Sequence, residues 1–124
     1  MTLIQEQDVR GDRTEGEYAR EVKHLVAPWT VGASKLWLGI SVIDPGSASN
    51  PHQHDQQEEV FYCLSGTGQI RVGEETFDVR PGSCVFVPPG ALHQLVNQDS
   101  EEVLRILCAT APPFSRDGWT DVHE

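Results

Sequence analysis

GSASNPHQHDQQEEVFYCLSG, residues 46–66, sets His52 and His54 two positions apart just ahead of an apolar run. On extended chain that spacing turns both imidazoles to one side, where they can share an ion. Glu59 follows five residues after His54 and heads the run Val60 to Leu64, which reads as a strand ending at the turn Ser65-Gly66. If Glu59 faces inward, alternation sends Phe61 and Cys63 inward with it and turns Glu58 and Val60 outward. A second stretch, GSCVFVPPGALHQLVN at 82–97, places the turn formers Pro88, Pro89 and Gly90 before His93, which opens another strand. His52, His54, Glu59 and His93 then offer three neutral nitrogens and one carboxylate. That donor set suits one divalent transition metal per chain: iron, manganese, nickel, cobalt or zinc. As plain surface histidines these residues would need neither same-face spacing nor a carboxylate on the adjacent strand.

The two stretches resemble the paired motifs of the cupins. The first motif is a glycine, five residues, His-x-His, three or four residues, Glu, six residues and a glycine; Gly46, His52, His54, Glu59 and Gly66 meet it. The second is a glycine, five residues, Pro-x-Gly, two residues, His, three residues and Asn; Gly82, Pro88, Gly90, His93 and Asn97 meet it. Two such patterns in order are far more specific than one short motif. The resemblance implies an all-β fold, the double-stranded β-helix or jelly-roll barrel of about eight strands. It also implies open positions on the metal for a small organic substrate or dioxygen. Cupins with this ligand set include dioxygenases, decarboxylases, isomerases, lyases and polyketide cyclases. Because the glutamate is present, thiol oxidation ranks lower, and dioxygenase chemistry is the first expectation. A non-catalytic cupin that binds a small molecule or metal is the alternative.

The flanking sequence agrees with an all-β chain. Leu36 to Ile43 is an apolar run closed by Asp44-Pro45-Gly46. Ile70 and Val72 alternate with Arg71 before the turn at Gly73, and Phe77 and Val79 flank Asp78 after it. Val103 to Thr110 runs to the stop at Pro112-Pro113. No segment shows a convincing helical period. The expected organisation is an N-terminal arm over 1–35, partly ordered or strand-exchanging, a barrel over 36–111, and a C-terminal tail over 112–124 with no role at the site.

Composition narrows the partners. A chain of 124 residues makes one domain with a core of its own, and a net charge of −10 disfavours nucleic acid and anionic membrane surfaces. No run reaches membrane-spanning length, and Met1 to Arg10, carrying Glu6 and Asp8, does not read as a secretory signal. Three cysteines without a CxxC pair argue against a disulfide framework and fit a reducing cytoplasm. Cys63, Cys84 and Cys108 all read as small buried hydrophobes. A small-molecule substrate or ligand and a homodimer are the expected partners.

Outside the ligands, His24 is a second-tier catalytic candidate, an acid-base group near the metal, although a solvated histidine on the arm is the preferred reading. Trp29 and Trp37 read as packing residues, Asn97 as a strand-end tie, and Phe61, Phe86 and Leu95 as the apolar interior near the site.

Overall fold

A computed structural model describes residues 1–123. In chain order the strands are β1 (Asp12–Thr14), β2 (Arg20–Val26), β3 (Trp37–Ile43), β4 (Ser47–Ala48), β5 (Glu58–Ser65), β6 (Gly68–Val72), β7 (Glu75–Val79), β8 (Cys84–Val87), β9 (His93–Asn97) and β10 (Leu104–Ala111). A short helix α1 (Pro28–Val31) follows β2, and a helix α2 (Arg116–His123) follows β10. The strands form two antiparallel sheets. One runs in the order β1-β2-β3-β10-β5-β8, and the smaller runs β4-β9-β6-β7. Together they make the jelly roll that the paired motifs imply.

Alternation builds the interior. On β5, Glu59, Phe61 and Cys63 are buried while Glu58 and Tyr62 are exposed. On β10, Leu104, Ile106, Cys108 and Thr110 are buried. Ile43, Leu104 and Ile106 lose all contact with solvent, a burial that stabilises by about 1.5–3 kcal/mol per side chain. Gly66 has a positive φ of 82°, and a Cβ there would lie 2.3 Å from the carbonyl oxygen of Val103. Only glycine lets β5 turn into β6 this close to the start of β10. Asn97 is fully buried and donates through Nδ2 to the carbonyls of Ile43, Asp44 and Glu102 at 3.0, 3.2 and 2.8 Å. It ties the end of β9 to the ends of neighbouring segments, as the sequence suggests.

Three expectations change. The segment 1–35 is not an arm apart from the barrel over residues 12–26, because β2 pairs along β3 from Arg20↔Ile43 to Val26↔Leu38 and β1 pairs with β2. Arg20, Val22 and His24 form its buried face. Even Glu6 is held, by Arg105 at 2.5 Å and Lys23 at 3.1 Å, and the Arg105 guanidinium chiefly keeps its carboxyl below the usual range. The second change is at β8, where Val85 and Val87 point inward, so Cys84 and Phe86 lie exposed on the outer face rather than inside. The third is the helix at 116–123. Ser115 starts it, its Oγ accepting from the Gly118 N–H at 3.0 Å, with Asp117 in the first turn. Of the 112–124 tail, Glu124 lies outside the described residues.

Candidate metal centre

Backbone pairing delivers the ligands. His52 sits outside the named strands, yet its N–H donates to the His93 carbonyl at 3.1 Å and the His93 N–H returns the bond at 2.9 Å. The rings of His52 and His93 therefore stand side by side, centroids 4.3 Å apart. Two residues on, the His54 carbonyl accepts the Gly90 N–H at 2.7 Å. Gly90 holds a φ of 82°, so the Pro88-Pro89-Gly90 turn needs glycine to bring that N–H onto the His54 strand. Glu59 enters from the other sheet, on β5 between Thr110 of β10 and Val87 of β8.

One ligand atom from each of His52, His54, Glu59 and His93 lies within 4.8 Å of every other. Glu59 Oε2 is 3.2 Å from His93 Nε2 and 3.6 Å from His54 Nδ1. The Nδ1 of His52 is 2.8 Å from the Asn50 carbonyl, and the Nδ1 of His93 is 2.9 Å from that of Ala91. Each carbonyl accepts the Nδ1 proton and leaves Nε2 as the bare nitrogen, the tautomer a metal needs. Burial pushes His52 down to about 2, with neighbouring His123 and His93 adding to it, and burial lowers His54 despite Glu59. Both imidazoles stay neutral near pH 7.

A cation fits this arrangement on the chemistry of the donors alone. His54 Nε2, Glu59 Oε2 and His93 Nε2 are buried without a hydrogen-bond partner. Each such atom costs about 1–3 kcal/mol if left so. A divalent ion among them satisfies the imidazole lone pairs and the carboxylate together, and three nitrogens with one oxygen suit a borderline metal.

The remaining candidates fall elsewhere. His24 is buried, not solvated on an arm: Trp37 Nε1–H donates to its Nδ1 at 3.1 Å, its Nε2 lies 2.9 Å from Asp12, and Trp29 and Trp119 flank it. It is not one of the four clustered ligand residues. Trp37 packs in the core as expected. Cys63 and Cys108 are buried, with burial raising both thiols, so neither is a ready thiolate.

Sequence reasoning missed the tail. His123, on α2, sets its ring 4.4 Å from His52 and stacks on Trp119 at 4.7 Å, while Phe114 lies 4.8 Å edge-on to His54. Burial lowers His123 to about 3. The readable signal was Trp119 and His123 four apart, one helical face, behind a Ser115 cap. Beneath α2 lies a cavity of about 20 Å³ lined by Arg20, Ser49, His52, Glu59, Trp119 and His123 among others. That is room for about one water molecule.

The family model for the cupin domain matches residues 39–110, which spans both ligand segments. The chain belongs to the cupin family. It is 31% identical over 103 residues to MJ1618 of Methanocaldococcus jannaschii, covering 83% of this cupin and 79% of that protein. Polyketide synthase CurC of Streptomyces cyaneus is 27% identical over 95 residues, 77% of this chain and 62% of CurC. Among solved structures, the polyketide cyclase RemF from Streptomyces resistomycificus superposes with a TM-score of 0.76 at 24% identity, covering 96% of this chain and 90% of RemF. At that identity RemF shares the fold.

Proposed function

We propose that this cupin is a metal-dependent enzyme acting on a small organic substrate, with His52, His54, Glu59 and His93 holding one divalent ion. The observation that carries the reading is the convergence of four ligand atoms, three of them on buried, unpartnered groups, beside a cavity. A bound ion supplies Lewis acidity to a carbonyl or enolate oxygen or, if redox-active, a centre for dioxygen chemistry. The chain does the rest. Asn50 and Ala91 fix the imidazoles, and Trp37, Phe61 and Leu95 give the cavity apolar walls that keep water from the reacting centre.

Two reaction classes follow from the site. The imidazole and carboxylate set suits the iron of a dioxygenase. The second class is cyclase, isomerase or lyase chemistry without dioxygen, and the likeness to polyketide synthase CurC puts a polyketide among the candidate substrates. Metal analysis of protein from its own host, followed by oxygen-uptake and product screens, tests both. Near-stoichiometric iron with oxygen consumption supports the dioxygenase, and zinc or manganese with turnover in anaerobic buffer supports the second class. Tight ligand binding with no turnover makes the protein a non-catalytic binding cupin instead.

A homodimer goes with this reading. Leu36 and Phe86 are exposed on the outer face of the six-stranded sheet, next to Leu38, Val60, Ala109 and Ala111. An apolar face of this kind suits a second copy. Light scattering is expected to give twice the 13.7 kDa chain mass, and Phe86→Glu to shift it toward the monomer; a monomeric wild type overturns the dimer. The free cysteines support a cytoplasmic placement.

A further inference from the structure

Two buried polar atoms on the inner face of the six-stranded sheet have no hydrogen-bond partner, Oε2 of Glu59 and Oγ1 of Thr110. Their residues stand directly opposite each other. In the pairing of β5 with β10, Glu59 faces Thr110, and the two are 4% and 2% exposed. The Cβ atoms of residues so opposed lie about 4.5–5.5 Å apart, close enough for their side chains to meet.

Their other neighbours on this face serve neither group. On the far side of Thr110 lies Trp37, whose one polar side-chain atom, Nε1, is a donor already given to His24 at 3.1 Å. On the far side of Glu59 lies Val87. Along the strands, Phe61 follows Glu59, and Cys108 precedes Thr110 with its Sγ 3.5 Å from the Ile106 carbonyl and 3.7 Å from Ser41 Oγ. What remains is a hydroxyl that can donate, facing a carboxylate that can accept several bonds. The imidazoles show the kind of support Glu59 is missing, since Asn50 and Ala91 pin His52 and His93 by backbone carbonyls. A metal ion takes the carboxylate lone pairs turned toward it and leaves those turned away for a donor. Rotation about χ1 between staggered positions turns the Thr110 hydroxyl without moving the backbone.

We propose that Thr110 is the positioning residue of Glu59: with metal bound, its hydroxyl donates to the carboxylate and holds it in place as a ligand. The inference rests on the reading of His52, His54, Glu59 and His93 as a metal centre. It adds a fifth residue, which sets how tightly the ion is held. Without metal the hydroxyl is buried and unpaired, which disfavours the fold; with metal it is satisfied. One atom thus weakens the metal-free protein and strengthens the loaded one.

The test uses the full chain, stripped of metal and titrated with zinc and with cobalt against a competing chelator. Wild type, Thr110→Val and Thr110→Ser are compared, and each is melted with and without metal. Valine keeps the shape and removes the hydroxyl, whereas serine keeps the hydroxyl. Expected for Thr110→Val is a loss of about tenfold or more in affinity for both ions, the size of other outer-shell changes, with metal-free protein that melts at or above metal-free wild type. Thr110→Ser is expected to bind nearly as wild type does. A smaller loss in Thr110→Val overturns the inference, as does a serine chain whose affinity lies closer to the valine chain than to wild type. Metal-free Thr110→Val that melts below wild type, or does not fold, also overturns it, because the hydroxyl then supports the fold itself. Wild-type protein that takes up neither ion overturns the metal centre and this inference with it; wild type that loads, beside a Thr110→Val chain of unchanged affinity, overturns this inference alone.

Discussion

A His93→Ala chain is expected to lose more than about 100-fold in affinity for divalent transition metals while keeping its fold. Outer-shell changes at metal sites cost about 10–100-fold, and this change removes a ligand outright. His93 is 2% exposed, and its Nε2 has no hydrogen-bond partner in the protein. Its removal therefore breaks no buried hydrogen bond made by that nitrogen, only the Nδ1 contact to Ala91 at 2.9 Å. The His52–His93 bridge is made by backbone and survives the substitution. The metal-free variant should thus melt close to metal-free wild type, less a cavity cost of a few kcal/mol at most. The loaded proteins should diverge. Metal at about 1,000 times its dissociation constant adds about 4 kcal/mol to a chain that binds it, and that increment should nearly vanish in the variant. Glu59→Gln should behave likewise, since it removes the only charge among the four ligand residues. Elemental mass spectrometry after dialysis, with melts taken with and without metal, reads both effects. A fully occupied His93→Ala protein would sink the site assignment.

These expectations were open to sequence reading because the ligands lie in two short segments with fixed spacing. Neither the bridge nor the sheet pairing had to be known to group His52, His54, Glu59 and His93. The parts that escaped share a physical cause: their local pattern is silent about which side is inside. On β5, Glu58 and Glu59 flank an apolar run, and the ligand role of Glu59 sets the phase. On β8, Cys84-Val85-Phe86-Val87 carries no polar residue to set it, so the pattern fits Phe86 and Cys84 inside as well as outside, and they face out. β2 reads as polar, Arg-Glu-Val-Lys-His-Leu-Val, because two of its three buried residues, Arg20 and His24, are cationic or titratable and find their partners outside the strand. The helix α2 has too few apolar residues to show a period, and its stability comes from Trp119 and His123 packing on rings supplied by the barrel. The failures at Arg20 and His123 mark contacts between segments far apart in sequence, and these two residues meet beside the site.

Those same buried histidines make the metal-free protein acid-sensitive. His24, His52, His54 and His123 are all shifted below their ordinary value of 6.5, in each case foremost by burial. The unfolded chain takes up protons as pH falls through 6.5, whereas the folded chain resists until about 3 at His123 and about 2 at His52. Below 6.5 the unfolded state therefore binds more protons, and stability must fall with falling pH. Well below 6.5 each such histidine contributes about 1.4 kcal/mol per pH unit. His52 and His123 together imply a slope of about 3 kcal/mol per pH unit near pH 5, against a total stability of about 5–15 kcal/mol for an ordinary domain. Glu6 acts in the same direction at lower pH, since its folded carboxyl sits below 4.5. The opposing effect is relief of self-repulsion as the net charge of −10 shrinks toward the isoelectric point near 4.8. Salt near 0.15 M screens exposed charges more than buried ones, so the histidines should win. Urea unfolding of metal-free protein is expected to show little change from pH 8 to 7 and a steep loss from 6 to 4.5. His123→Gln should reduce that slope by one proton, and bound metal should move the loss to lower pH because protons then compete with the ion for the imidazoles. Stability that stays level or rises between pH 6.5 and 4.5 would show that these histidines are not held neutral in the folded chain.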